Sequence, residues 1–109
     1  MEVEHVEQAL SLFFQGLNAN DGATIRRLWH PDARLFLNNA ILNTQSLPFL
    51  LNLPDSLDFA IEEIKCIDVD RVIATARVDY SMPVGRHSGF FSLVKTGGQW
   101  MIANWLDHG

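Results

Sequence analysis

Val3, Val6, Leu10, Phe13 and Leu17 recur at alternating spacings of three and four, with Glu2, Glu4, Glu7, Gln8 and Gln15 between them. That period describes an amphipathic helix with one buried stripe. The early carboxylates suit the positive end of the helix, and Gly16, Asn18 and Asn20 weaken its other end. Asn20 or Asp21 can cap a second, shorter helix running to Leu28 or Trp29. Pro31 stops that helix, because the residue before a proline disfavours helical geometry.

Beyond this point the period changes. Arg34 to Leu37 and Ala40 to Leu42 flank Asn38-Asn39, which predicts a tight hairpin turn, since asparagine tolerates positive φ. Ser46 is a good N-cap, and Pro48 fits a first helical turn, so a third short helix is expected to about Asn52, closed by Pro54. From Leu57 the pattern is that of strands, at about 57–67, 71–82, 87–96 and 99–106. Val72, Ala74, Ala76, Val78, Tyr80 and Met82 alternate with Ile73, Thr75, Arg77, Asp79 and Ser81, giving one apolar and one mixed face. Short turns, among them Thr96-Gly97-Gly98, favour an antiparallel meander. Trp100 and Trp105 are separated by an odd number of residues, so they are expected on opposite faces of a regular strand.

Helices grouped ahead of strands predict an α+β fold, with a curved antiparallel sheet wrapped around the N-terminal helices as a cone. The 109 residues fit one domain, 1–109, and a 48% hydrophobic content gives it a core rather than a disordered chain. The net charge of −5, without a basic stripe, argues against a nucleic-acid partner. Cys66 is the one cysteine, so no internal disulfide forms, as suits a reducing compartment. An acidic N-terminus and the lack of a membrane-length apolar run predict a cytoplasmic protein with no membrane partner.

The element order, with Asn20-Asp21-Gly22, Leu28-Trp29-His30-Pro31-Asp32-Ala33 and Leu93-Val94-Lys95-Thr96-Gly97-Gly98-Gln99-Trp100-Met101-Ile102, resembles the nuclear-transport-factor-2-like superfamily. Within it the chain is most similar to small bacterial proteins labelled lumazine-binding or polyketide-cyclase-like (SnoaL-like). The resemblance spans nearly the whole chain. It implies a cystatin-like α+β barrel and a homodimer packed through the outer sheet face, here Thr75, Arg77, Asp79 and Ser81. It implies no single activity, because this superfold hosts many. The ketosteroid isomerases of the superfamily use a tyrosine and two acids, and those positions fall on Phe13, near Leu37, and on Phe90 or Phe91. Apolar side chains cannot carry out that acid–base work. The tyrosine, histidine and aspartate of scytalone-dehydratase-like sites could be Tyr80, His30 or His87, and Asp32 or Asp79, although their spacings do not match.

His30 and Asp32 flank Pro31 and form a possible acid–base pair, or else Asp32 ties down the turn. Tyr80 can donate to a ligand or find a local partner. His87 is a second possible base, or an exposed strand-end residue. The histidines are too scattered for a metal motif, and no metal or cofactor is expected. The abundant aromatics point to a small apolar or aromatic ligand, held by Phe13, Leu17, Trp29, Phe36, Phe49, Tyr80, Phe91 and Trp105. The expected function is therefore a non-catalytic small-molecule-binding domain. The alternatives are a cofactor-free isomerase, dehydratase or cyclase using His30, Asp32 and Tyr80, and a dimerisation module with a filled cone.

Overall fold

The computed structural model describes residues 2–37, 40–43, 59–83 and 85–108. The expected third helix, with Phe49, and the Asn38-Asn39 turn lie outside the described residues.

The helical period becomes α1 (Glu2–Ala19), which buries Val6, Ala9, Leu10, Phe13, Phe14 and Leu17. Asn20 takes a left-handed φ of 56°, and the Asp21 N–H donates to the Gly16 carbonyl at 2.9 Å, closing the helix. Asp21 is then the cap of α2 (Gly22–Leu28). Its carboxylate accepts from Thr24 N at 3.3 Å and Thr24 Oγ1 at 2.7 Å, and these bonds hold it below the usual aspartate range. Of the two capping candidates, Asn20 makes the turn and Asp21 makes the cap.

The chain leaves α2 through an extended Trp29 directly into β1 (Trp29–Leu37). The other strands are β2 (Ala40–Asn43), β3 (Ala60–Asp70), β4 (Ile73–Met82), β5 (Gly85–Thr96) and β6 (Gln99–His108). They form one sheet in the order β2-β1-β6-β5-β4-β3. The neighbours pair antiparallel except β1 and β6, which run parallel. Pro31 sits in β1 where its pairing with β6 is interrupted, between Trp29 and Arg34, so its missing N–H breaks no ladder bond.

The β5–β6 ladder carries one irregularity with large consequences. Ser92 pairs with Asn104 and Leu93 with Ile102, which leaves Ala103 without a partner. An extra residue of this kind shifts every later side chain to the other face. The expectation that Trp100 and Trp105 face opposite sides is corrected accordingly: both are buried, at 4% and 3% exposure. β3 has a bulge of its own around Cys66, which takes a φ of 56° and is exposed.

The concave side of the sheet is filled by rings. Phe14 of α1 packs with ring centroids 5.2 Å from Tyr80, 5.5 Å from Phe59, 5.6 Å from Trp105 and 5.9 Å from Phe91. Phe13 stacks on Trp29 at 5.7 Å and meets Trp105 edge-on at 5.8 Å. Each such pair adds about 0.5–1.5 kcal/mol beyond its buried area. The Asn18 amide both donates to and accepts from the Phe59 backbone, at 2.7 and 2.8 Å. The side chain that weakens the helix end locally thus fastens it to the entry of β3. No helix among the described residues is long and apolar enough to cross a membrane.

Gly89 is the close-approach point of this ring cluster. A Cβ there would lie 2.8 Å from both Phe91 Cε1 and Trp105 Nε1, and 3.1 Å from Tyr80 Cε1. Gly89→Ala is expected to destabilise the fold by about 1–3 kcal/mol through overpacking. Urea unfolding followed by tryptophan fluorescence measures it, and an unchanged midpoint would mean that the rings move aside without cost.

Candidate functional site

Three inward side chains meet at the end of the sheet where α1 finishes. Tyr80 lies near the end of β4 and pairs in register with His87 at the start of β5. Asp107 lies near the end of β6, paired with Gly89. Placing Asp107 on this face requires the bulge at Ala103, since strict alternation from Trp100 would turn it outward.

The Tyr80 hydroxyl donates to Asp107 Oδ1, and His87 Nδ1 lies 3.2 Å from Asp107 Oδ2. The Tyr80 and His87 rings stack at 5.8 Å and 12°. The Asp107 side chain is 2% exposed and that of His87 is 17% exposed. A buried carboxylate is costly unless its oxygens are bonded, and here each oxygen has its own partner. An ionised carboxylate only accepts, so the His87–Asp107 contact puts the imidazole proton on Nδ1. That leaves the Nε2 lone pair as the reactive position. Burial, reinforced by the bond to Asp107, pushes the Tyr80 phenol well above its ordinary pKa, while the neighbouring Trp105 indole opposes this weakly. Tyr80 is therefore a neutral donor committed to Asp107.

The other expected site residues are distributed differently. Phe13, Leu17, Trp29, Phe91 and Trp105 are core side chains of at most 4% exposure. Phe36 pairs with Leu106 while Leu35 pairs with Trp105, so Phe36 stands on the face opposite Trp105. His30 and Asp32 belong to the interruption in β1, where the Asp32 N–H donates to His30 Nδ1 at 3.0 Å. The local contact differs from the turn expected of Asp32: the histidine ring accepts, and the aspartate supplies its backbone N–H rather than its carboxylate. Neither residue converges on Tyr80, since neighbouring Trp29 pairs with Ile102, five residues before Asp107.

Asp79 lies on the outer face. It accepts from Lys65 at 2.9 Å, Ser88 at 2.9 Å and Arg77 at 3.1 Å, and these partners lower its pKa to about 2. Among the described residues no group of three or more His, Cys, Asp or Glu side chains is placed to hold a metal ion.

Residues 1–106 match the model of a protein family described as "Putative lumazine-binding". The chain belongs to this family. Three solved structures are similar to this chain in fold. The NTF2-like protein of unknown function from Shewanella baltica is 23% identical, with a TM-score of 0.77 over 98% of this chain and 92% of that one. A "putative dehydratase" of the NTF2-like family from Streptomyces avermitilis is 15% identical, with a TM-score of 0.84 over 97% and 94%. The association domain of CaMKII from C. elegans is 9% identical, with a TM-score of 0.81 over 97% and 94%. At these identities the likeness shows the nuclear-transport-factor-2-like fold alone. A search of curated proteins found no match.

Asp107 was the residue that sequence reasoning missed. Its signal was its spacing of two from Trp105, which places both on one face once Trp105 is taken as inward. Asp107→Asn is expected to reverse the neutral His87 tautomer, because the new amide can donate to Nδ1. Imidazole nitrogen NMR should show Nδ1–H in the native protein and Nε2–H in the variant. The same tautomer in both proteins would mean that Asp107 does not orient the ring.

Proposed function

We propose that this chain is a small-molecule-binding domain whose ligand is met by His87, and that it can move one proton on that ligand without a cofactor. The observation that carries this reading is the buried Asp107 carboxylate, bonded by Tyr80 on one oxygen and by His87 on the other. Asp107 orients the imidazole and stabilises its charged form. Tyr80 positions Asp107 and stays neutral. His87 Nε2 would take a proton from carbon beside a carbonyl, and the imidazolium would return it to the product or to a departing hydroxyl. The family description and the dehydratase among the similar structures are compatible with this chemistry.

The test is deuterium incorporation from D₂O into a panel of ketones and β-hydroxyketones, followed by proton NMR. His87→Gln is expected to lower the exchange rate by roughly 10²–10⁴-fold. A rate unaffected by His87→Gln, or no exchange above buffer across the panel, would overturn the proton-transfer part. Native mass spectrometry of freshly purified protein tests binding separately. A mass excess lost on denaturation supports a retained ligand.

A second reading, assembly as a homodimer through the outer sheet face, is favoured by one observation. Phe90 and Leu106 are each 49% exposed and pair in register on β5 and β6, and Phe36 continues the row on β1. Arg77 caps it, with its guanidinium 5.6 Å from the Phe90 ring centroid. The apolar contact would thus be centred on Phe90 and Leu106, beside the polar positions Thr75, Arg77, Asp79 and Ser81. Leu106→Glu is expected to convert a dimer to a monomer in sedimentation velocity. A monomeric native protein, or a dimer indifferent to this change, would overturn the assignment.

A further inference from the structure

At the other end of the same strands lies a recess. The early turns of α1, the last turn of α2 and the β5–β6 turn border an open groove of about 470 Å³. That volume falls within the roughly 300–1,000 Å³ usual for small-molecule sites. The groove and the Tyr80–Asp107–His87 triad are well separated. Lys95 in the groove and His87 in the triad are eight residues apart on β5, roughly 25 Å along an extended strand.

The lining is unlike the rest of this acidic chain. His5, Arg27 and Lys95 contribute to it, and among the described residues no aspartate or glutamate does. The adjacent acid is Glu2, whose carboxylate is occupied by Lys95 Nζ at 3.0 Å and His5 Nδ1 at 3.1 Å. Those partners hold Glu2 below the usual glutamate range. Among the described residues Arg27 makes no close ion pair, and the Asp21 carboxylate interacts with it only at longer range. Its carbonyl accepts from Gln99 Nε2 at 3.1 Å, which fixes the end of α2 against the start of β6 and so sets the width of the groove. Leu12, Leu28 and Trp100 supply an apolar floor.

We propose that this groove binds a small organic anion with a flat apolar body, its charged head on Arg27 with Lys95 alongside and its body over Leu28 and Trp100. A guanidinium without a close ion pair presents a planar fork of donors suited to carboxylate, sulfonate or phosphate oxygens. The apolar floor favours a ring system over a bare ion. The inference stands apart from the chemistry proposed for His87.

The probe pair is anilinonaphthalene sulfonate and the uncharged N-phenylnaphthylamine, titrated against the full chain by fluorescence and amide NMR. The anion is expected to bind about tenfold more tightly than the neutral probe and to move the Trp100 indole signal while leaving that of Trp105 in place. Arg27→Gln, at an exposed position, should remove the preference for the anion while thermal unfolding stays unchanged. His87→Gln should leave anion affinity intact. Equal affinity for the two probes, an Arg27→Gln variant that binds as the native chain does, displacement of the Trp105 signal, or no binding would each overturn the proposal.

Discussion

Ala103 has no partner across β5, and that unpaired residue decides which side chains enter the concave side of the sheet. Without it, Trp100 and Ile102 would face inward while Trp105 and Asp107 faced out. With it, all four share one face: three fill the core and the fourth supplies the only acid of the triad. A register shift of one residue reverses the facing of everything downstream. The bulge is therefore the common origin of the Trp105 ring contacts and of the Asp107 hydrogen bonds.

The same device explains why the polar cluster sits at an end of the sheet. Along the middle of the strands the inward positions are Val78, Gly89, Phe91 and Trp105, and their space is taken by Phe13 and Phe14 of α1. A carboxylate among those rings would find no donors. Two residues further along, Tyr80 and His87 stand beside the strand end and give Asp107 one donor for each oxygen. Ring packing thus confines the chemistry to the margin of the core. It also holds the Tyr80 ring through Phe14 and Phe59, so the phenol is aimed by apolar contacts and anchored by a polar one.

The elements that depend on local period were legible in the sequence. The stripe from Val6 to Leu17, the Asp21 cap, the Pro31 boundary and the apolar face of β4 follow from spacing and capping chemistry, and the α+β class follows from their order. What was not legible depends on pairing between strands. Nothing local to Ala103 marks it as unpaired, because a bulge is chosen by the fit of two strands to a curved core. The parity argument therefore misplaced one of the two tryptophans and hid Asp107. Phe36 was misjudged for a related reason: its facing is set by the interrupted pairing of β1 with β6, which the run His30-Pro31-Asp32 hints at but does not measure. The triad needed three strands in register, and only Tyr80 and His87 stood out singly.

The triad and the groove differ in how they manage charge, and that difference fixes how independent they can be. At the triad, the negative charge is buried and each carboxylate oxygen is bonded, so solvent ions reach it poorly. At the groove, Arg27 is exposed and the Lys95–Glu2 pair is only partly covered, so mobile ions screen it over about 8 Å at physiological salt. Roughly 25 Å of strand separates them, so direct electrostatic coupling through solvent is negligible. Any coupling must pass through the packed core, and Trp105, Phe14 and Phe13 form an unbroken series of ring contacts from the triad to Trp29. Trp29 follows directly on Leu28, which floors the groove. A close-packed series of this kind transmits displacement rather than charge, so salt should weaken the groove while leaving the triad's hydrogen bonds unchanged.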